Sequence, residues 1–517
     1  MTLKKLFSCA AIATLFCATA ATAQEKLGNV TFTTSCDAKV QARFNRAVAM
    51  LHSFWFQQGE TAFREVLESD PKCAIAAWGI AAILIGNTFA GNATAQDAQK
   101  AKEAIQQARL TGAKTERERF YIEAVAEYYD RFADRPHGAR MKSLADAFEV
   151  VAKRFPKDDE AQIFYAIYLT ATQSPTDKTF TDTLKAAQIL EPQFKKHPHH
   201  PGVAHYLIHS YDYPPIADKG LNAATRYADI APSAPHALHM PSHTFTRVGY
   251  WSDSVATNIK SEQTALQQGV IGEALHAMDY QTYAYLQMAQ DQKAKAVLDR
   301  LSATVAKLDP NAMGGAAAPV AGFYARNAIA ARYALERGMW AEAAALQPLA
   351  SSFPQVDAIT HYARALGLAR SGKAADAKAD VDKLSALRDA LAAAKDPYWT
   401  DQVDIQRQNA AAWIAFAEGR KDEGLKLMRA AADAEDATDK SAISPGPIAP
   451  ARELLGEMLL EAGNAKDALT AFEATMQKEP NRFRGAFGAA RAAEALGNKT
   501  AAAKYYRQVI AIAKDSD

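Results

Sequence analysis

The chain has 517 residues, which is too many for one compact hydrophobic core, so we expect either several domains or a repeat architecture. Alanine is abundant and apolar residues recur at helical spacing, while alternating runs of valine, isoleucine and threonine are almost absent, so the composition predicts an all-α protein. The 59 Lys and Arg nearly balance the 58 Asp and Glu without forming a basic stripe, so we expect no nucleic-acid partner.

Residues 1–23 have the order of a secretory signal peptide, with a basic start, a short apolar stretch and Ala21-Thr22-Ala23 before Gln24. We expect cleavage at this point and a periplasmic or secreted mature protein. A lipid anchor is not expected, because the bulky Phe16 precedes Cys17. No later segment has about 18 uninterrupted apolar residues, so we expect no membrane span in the mature chain.

Cys36 and Cys73 are the only cysteines that remain after cleavage. They flank one predicted helical hairpin, whose ends lie close together, and an oxidising compartment would let them form a disulfide. Such a bond would contribute about 3 to 4 kcal/mol on the chain-entropy model. The alternative is a pair of small buried apolar residues.

Degenerate copies of a helical-hairpin repeat follow along the chain. ETAFREVLESDPKC places Phe63 before Pro71, and DAFEVVAKRFP places Phe148 before Pro156, at the spacing of an aromatic and a terminating proline. A single hairpin cannot bury its apolar face, so the pattern predicts a right-handed α-solenoid of about eight to ten stacked hairpins. We assign residues 24–439 to the N-terminal and central part of this solenoid.

Two His-x-x-x-His pairs lie near the middle of the chain, and His239 and His243 follow His205 and His209 by 34 residues each. In a tetratricopeptide register the two pairs occupy the fifth and ninth positions of the first helix in consecutive repeats. Residues four apart share a helix face, so we expect all four imidazoles, together with His236, to face one hollow in the concave groove. Imidazole is a common ligand of zinc and copper, so these five histidines form a candidate metal site.

Two points about this segment remain open in the sequence. Pro241 falls inside the predicted helix and would bend it, at a cost of about 3 kcal/mol, or else the helix begins at Pro241 and leaves His236 and His239 in a loop. The second point is whether a metal binds, because the histidines could instead form a polar seam by hydrogen bonding to Tyr206, Tyr211 or Asp212.

Further candidate ligands lie outside these two motifs. EALHAMDYQTYAYL contributes His276, Asp279 and Tyr280 from the next hairpin, and His52 near the start of the chain could line the same face. The three histidines of KKHPHHPG are predicted to lie in a loop as solvated or capping residues. No His-Glu-x-x-His, phosphate loop or nucleophile elbow is present. Copper would suit an all-imidazole site and zinc would support hydrolysis.

The clearest repeat lies at the end of the chain, in residues 440–517. In ARELLGEMLLEAGNAKDALTAFEATMQKEPNRF, Ala468 and Phe472 occupy the helix-contact positions, and Ala502 and Tyr506 follow 34 residues later. We therefore predict a canonical tetratricopeptide pair. The prolines of KSAISPGPIAPARE predict a loop before it.

The chain resembles exported bacterial tetratricopeptide-repeat proteins similar to the tetratricopeptide repeat protein 38 family. The resemblance rests on LHSFWFQQGETAF, on HHPGVAHYLIHSYD and APHALHMPSHTFTRVGYW, and on the C-terminal repeats. It implies the solenoid fold and export, and no activity.

Two functions are compatible with these features. The first is an exported binding scaffold that holds a peptide or protein partner in its concave groove, with a histidine-rich metal site at its centre. The second is a metal-dependent enzyme, either a hydrolase or a copper oxidoreductase, which uses the same histidines. A scaffold predicts an open groove, whereas an enzyme predicts a closed pocket with Asp279 or Tyr280 within reach.

Overall fold

The computed structural model describes residues 25–90, 93–309, 315–317 and 319–517, and in these residues the chain is helical without a β-strand. Two short 3-10 helices span Ala38–Val40 and Pro214–Gly220. The α-helices of the first half are α1 Gln41–His52, α2 Phe56–Ser69, α3 Ala74–Ile83, α4 Ala95–Thr111, α5 Glu116–Tyr129, α6 His137–Arg154, α7 Asp159–Thr170, α8 Thr181–Lys196, α9 Pro201–Ser210, α10 Leu221–Ile230, α11 Pro235–His239, α12 Pro241–Val248 and α13 Trp251–Gln267. Those of the second half are α14 Ile271–Gln287, α15 Asp291–Val305, α16 Pro319–Glu336, α17 Trp340–Ala345, α18 Pro354–Arg370, α19 Lys378–Ala393, α20 Pro397–Ala417, α21 Lys421–Asp436, α22 Ala451–Glu461, α23 Ala465–Lys478, α24 Phe483–Ala495 and α25 Lys499–Ile512.

Successive helices pack as antiparallel pairs, and each pair packs on the next, so the chain forms an α-solenoid of helical hairpins as the sequence predicts. The described residues form twelve such pairs, in which α11 and α12 together make the first arm of the sixth pair. This number exceeds the eight to ten that we expected, because pairs such as α3 and α4 lack the closing proline that marks a copy in the sequence.

The C-terminal hairpins, α22 to α25, have most of the contacts that the sequence predicts, but Tyr505 is the buried tyrosine and Tyr506 is only half-buried. Phe472 is fully buried between Gly456 and Gly488, and a Cβ atom at either glycine would lie within 2.8 Å of the phenylalanine ring. Ala468 and Ala502 are buried at the helix contacts. Small residues therefore let the helices approach each other, and the aromatic ring fills the space that remains.

Both ends of the solenoid return to its middle. On one side Asn29 donates a backbone hydrogen bond to the His199 carbonyl, and α1 packs on α9. On the other side the Trp251 indole donates to the Asn481 carbonyl. Gly249, with φ +72°, lies at this second contact, where a Cβ atom would be 2.5 Å from the Pro480 carbonyl oxygen. The concave side of the central hairpins is therefore enclosed.

The predicted proline-rich loop is confirmed and spans residues 437–450, between α21 and α22. It lies in the concave groove, where Arg332 holds it through the carbonyl oxygens of Pro447 and Gly446. No helix in the described part of the chain is long and apolar enough to cross a membrane. The signal segment 1–23 lies outside the described residues, so its cleavage stays a prediction.

Candidate metal centre

His205 and His209 lie on α9, which begins at Pro201. The His200 side chain accepts a hydrogen bond from the Val203 backbone amide and so caps the start of this helix. Because the helix begins at Pro201, the two histidines occupy its fifth and ninth positions, as the repeat register predicts, and both are buried.

The second His-x-x-x-His pair spans a break in the helix. His239 ends α11, and α12 begins at Pro241, because proline has no N–H to continue the helical hydrogen bonds. Met240 between them keeps helical dihedral angles of −53° and −35°. His236 and His239 therefore lie on a short helix and not in a loop, and all three histidines of the segment, including His243, are buried.

Three of the histidines form a first triad, defined as His205, His209 and His236. The Nε2 atom of His205 lies 3.1 Å from that of His236 and 3.1 Å from that of His209. One ligand nitrogen from each residue lies within 4.8 Å of the other two. The ring of Phe54 covers this triad by stacking on His236, and it meets His205 edge-on.

The second triad is defined as His239, His243 and His276, and it meets the same distance criterion. The Nε2 atoms of His239 and His243 are 3.1 Å apart. The two triads are neighbours, since the ring centroids of His209 and His243 lie 6.1 Å apart. The sequence correctly placed these imidazoles in one hollow, but the structure divides them into two sets of three and brings His276 into the second set.

Hydrogen bonds outside the triads fix which nitrogen carries the proton in three of the six rings. The Nδ1 atom of His205 donates to the His52 backbone carbonyl at 2.7 Å. The Nδ1 atom of His239 donates to Oδ1 of Asn258, also at 2.7 Å. The amide nitrogen of Asn258 is held by the Ser254 carbonyl, so its oxygen faces the imidazole. The Nε2 atoms of both histidines therefore present lone pairs.

The same reasoning applies to His243, whose Nδ1 atom donates to Oδ2 of Asp212 at 2.8 Å. His239 and His243 thus direct two bare Nε2 lone pairs at each other across 3.1 Å, where neither atom has a hydrogen to donate. This contact is repulsive unless a cation lies between the two atoms. Two imidazole ligands of one zinc-sized or copper-sized ion, with metal–nitrogen bonds of about 2.0 to 2.1 Å, have a separation close to this one.

Burial keeps the six imidazoles uncharged. It lowers the pKa of His205 and of His276 to about 3, and it lowers the pKa of the other four histidines below the ordinary value of 6.5. Desolvation is the main cause in each case, because the interior disfavours the imidazolium form. At neutral pH all six rings are therefore in the form that binds metal ions.

The remaining predicted ligands have different environments. Nδ1 of His276 is buried without a hydrogen-bond partner among the described residues, as expected of an atom that is free to bind a ligand. The hydroxyl of Tyr280 lies 3.5 Å from Nε2 of His243, within reach of the second triad. Asp279 instead forms a buried ion pair with Arg332 at 2.9 Å and joins neither triad.

His52, which we considered as a further ligand, belongs to a separate buried group with Glu160 and His200. Its Nε2 atom and that of His200 bond to the two oxygens of the Glu160 carboxyl at 2.9 and 3.0 Å, and its Nδ1 atom bonds to the Tyr206 hydroxyl at 2.9 Å. These contacts join α1, α7 and α9. The group thus supports the first triad through the His52 carbonyl, and His200 is a buried capping residue, one of the two roles that the sequence predicted, and is not solvated.

Cys36 and Cys73 are joined by a disulfide, with their Cα atoms 4.8 Å apart. The bond links the segment before α1 to the start of α3, at the hairpin the sequence indicated.

A cavity of about 420 Å³ adjoins both triads. His209, His236, His243 and His276 lie on its wall, together with aromatic side chains and the loop 437–450. Sequence reasoning missed the charged residues that position this wall, because they come from segments far apart in the chain. They are Arg247, Arg332 and Lys440, whereas Asp212, which the sequence named as a hydrogen-bond partner of the histidines, does accept from His243.

No family model and no curated protein matches the chain. Among solved structures it is similar to a Rap protein complexed with competence and sporulation factor, at 11% identity and a TM-score of 0.38, over 93% of this chain and 99% of that one. It is also similar to the APC/C hetero-tetramer Cut9-Hcn1, at 11% identity and a TM-score of 0.29, over 92% and 93% of the two chains. A third likeness is to the TPR domain of P58(IPK), at 12% identity and a TM-score of 0.23, over 89% and 99%. The assignment of tetratricopeptide-like hairpins rests on the geometry of this chain itself.

Proposed function

We propose that the protein is a copper enzyme that binds one metal ion in each histidine triad and oxidises a small molecule in the adjoining cavity. The observation that carries this proposal is the contact between His239 and His243, whose bare Nε2 atoms face each other at 3.1 Å. A bound cation turns this repulsion into two ligand bonds. The first triad has the same spacing and is adjacent.

The charge of the site favours copper over zinc. Six neutral imidazoles bring no negative charge, and the nearby Asp212 is already paired with Arg247 at 2.8 Å. Two divalent ions would place four positive charges in a buried site, whereas two Cu(I) ions would place two. Uncompensated buried charge is costly, and imidazole is a good ligand for copper.

Copper would supply redox chemistry at this site. Two neighbouring Cu(I) ions together can deliver two electrons to dioxygen, so the centre would couple dioxygen reduction to a two-electron oxidation of an organic molecule. Two such oxidations balance one dioxygen, which takes up four electrons and four protons and leaves as two waters. Burial keeps the pKa of Tyr280 well above its usual value of 10, so this hydroxyl beside His243 remains a hydrogen-bond donor.

An enzyme fits the groove better than an open scaffold does at this position. The loop 437–450 and the two returning ends of the solenoid enclose the triads, and the cavity has the size of a small-molecule site. A peptide would have no room beside the histidines.

Metal content tests the proposal directly. We expect two copper ions per chain in the purified full-length protein, one in His205→Ala, one in His239→Ala and none in the double variant. His199→Ala changes an exposed histidine of the same segment and serves as the control, with two ions expected. Equal metal content in the wild type and the double variant would contradict the proposal.

Dioxygen uptake, measured with an oxygen electrode, distinguishes a copper oxidase from a zinc hydrolase. The copper-loaded protein should consume dioxygen in the presence of a two-electron donor, and the double variant should not. Two zinc ions per chain without dioxygen uptake would contradict the copper assignment and support the alternative, a zinc hydrolase.

A binding scaffold is the second candidate function, and a cleft between α16 to α18 and the C-terminal hairpins favours it. This cleft of about 330 Å³ is lined by Trp340 and Phe483 and contains the exposed ring of Phe487. A peptide or protein partner held there would leave the metal centre untouched. Pull-down of a partner by the wild type but not by Phe487→Ala, with equal copper in both, would support this role.

We also propose that the protein acts outside the cytoplasm. The signal pattern of residues 1–23 and the pairing of Cys36 with Cys73 support export, because disulfides persist in oxidising compartments. The mass of the protein recovered from its host should correspond to a chain that starts at Gln24. Recovery of the uncleaved chain from the cytoplasm would contradict export.

A further inference from the structure

Lys440 is a buried cation on the wall of the central cavity. Its side chain is 3% exposed, and it lies in the loop 437–450 opposite the histidines. Its ammonium group is 3.5 Å from Oδ2 of Asp212 and makes no hydrogen bond to any described residue. An ammonium has three donors, and leaving them unsatisfied in the interior is costly.

Asp212 does not neutralise this lysine alone. One of its oxygens accepts from Arg247, and the other accepts from His243 at 2.8 Å and meets Lys440 at the longer distance. Although burial by itself would raise the pKa of Asp212, Lys440 and Arg247 hold it well below the usual value. One carboxylate thus faces two cations.

The other carboxyl groups near the lysine already have partners. Asp439 pairs with Lys178 at 2.6 Å, and Asp396 caps the backbone amide of Trp399. Glu479 accepts a hydrogen bond from Tyr283. Burial lowers the pKa of Lys440 to about 8, so the ammonium form still dominates at neutral pH. The cavity lining therefore balances Lys440 and Arg247 against Asp212 and Asp396, and the ammonium of Lys440 has no hydrogen bond to a described residue.

Aromatic side chains form much of the remaining wall. Phe89 stacks on the ring of His209, with centroids 4.1 Å apart, and Tyr398 and Trp399 are half-buried beside the lysine. Flat aromatic surfaces favour a flat aromatic ligand by stacking. A volume of about 420 Å³ accommodates one small ring with its substituents.

We propose that the cavity binds a small aromatic carboxylate, whose carboxylate accepts hydrogen bonds from Lys440 while its ring lies between the aromatic wall and the histidine triads. The oxidation of the bound ring rests on the proposed function. The binding of the aromatic carboxylate rests on the cavity alone. The substrate class is then an aromatic acid with oxidisable hydroxyl groups. Such a ring loses two electrons and two protons, and the dioxygen already named accepts them.

Titration calorimetry with 4-hydroxybenzoate and its neutral analogue 4-hydroxybenzamide tests the inference on the full chain, both as purified and after chelation. We expect wild type to bind the carboxylate at least about tenfold more tightly than the amide, since a charge-assisted hydrogen bond has at least this effect. Lys440→Met should reduce the preference to about twofold or less, and Lys440→Arg should retain most of it. Lys421→Met, which removes an exposed lysine, serves as the matched control and should bind like wild type.

An unchanged preference in Lys440→Met, or no preference in wild type, would overturn the inference. Thermal unfolding of each variant shows whether it is folded, and Lys440→Gln, which also removes the charge, replaces Lys440→Met if that variant unfolds. Copper content should be equal in wild type and Lys440→Met. Because the metal count and the ligand preference are separate measurements, failure of the aromatic-acid site is distinguishable from failure of the copper centre.

Discussion

The central hairpins, α9 to α14, and the C-terminal hairpins, α22 to α25, share one pairing geometry but bury different side chains. The C-terminal hairpins bury alanines and the ring of Phe472 against glycine. The central hairpins bury six imidazoles, and Asn258 and Asp212 hydrogen-bond to two of them. Apolar packing and a buried ion pair between Arg482 and Glu453 hold the first region together, whereas directed hydrogen bonds hold the rings of the second.

The same helical-hairpin repeat therefore serves stability in the C-terminal hairpins and the proposed function in the central hairpins. A buried imidazole must stay neutral and needs a partner for each nitrogen, so it stabilises a fold less than an aromatic or aliphatic side chain of the same size. Six of them together are expected only where a ligand compensates. Substitutions in either region, and removal of the metal, test how far the two regions are independent.

The largest effect of a single substitution on stability is expected in the C-terminal hairpins. Phe472→Ala removes a fully buried ring and should lower the free energy of unfolding by about 3 to 5 kcal/mol. Urea denaturation measures this loss. Copper content should stay at two ions per chain, because the ring contacts neither triad. Loss of metal together with stability would show that the two regions are not independent.

A buried carboxyl at the start of the C-terminal hairpins should make stability depend on pH. Glu435 accepts from the Ala451 backbone amide at 2.9 Å, and burial raises its pKa to about 7. The folded state therefore holds a proton that the unfolded chain, with a pKa near 4.5, loses. The contribution is present below pH 4.5 and is lost as the pH rises to about 7, at about 3 kcal/mol in total.

Glu435→Gln mimics the protonated form and should remove this dependence. Urea unfolding at pH 5 and pH 7.5 compares wild type with the variant, and Glu423→Gln on the same helix, where the side chain is exposed, is the control. A variant as pH-dependent as wild type would refute the assignment to Glu435.

Metal removal should destabilise the protein through the central hairpins. A ligand present at about 100 times its dissociation constant stabilises the folded state by about 2.7 kcal/mol per site, so chelation should lower the unfolding temperature of wild type. The double variant His205→Ala, His239→Ala should show no response to chelator. Equal responses from both proteins would mean that the chelator acts elsewhere.

The sequence predicted more of the contacts in the C-terminal hairpins than in the central hairpins, and the reasons are physical. A repeat leaves its period in the sequence, so the helical hairpins, the contacts of Phe472 and the positions of His205 and His239 could be read from spacing of 34 residues. The division into two triads could not, because it depends on the break at Pro241 and on how neighbouring helices cross.

Residues whose partners lie far away in the sequence could not be predicted from repeat spacing. Lys440 meets Asp212 only because the solenoid closes on itself, and no local pattern records that closure. The role of Asn258 could not be predicted either, because the sequence does not distinguish it from other polar residues on α13. Only the structure shows that its side-chain oxygen faces His239.

A substitution at Asn258 therefore tests, with a small expected loss of stability, whether hydrogen bonds position the histidine rings. Asn258→Ala removes the acceptor of the Nδ1 proton of His239 and should cost about 1 to 2 kcal/mol of stability, because that donor is left unsatisfied in the interior. Copper binding at one of the two sites should become about 10- to 100-fold weaker, because the His239 ring loses the contact that sets its tautomer. Competition with a copper chelator of known affinity measures it. Asn222→Ala changes an exposed asparagine on α10 and should alter neither quantity. Equal loss of affinity at both sites would show that the two triads bind as one unit, and unchanged affinity would show that hydrogen bonding does not position His239.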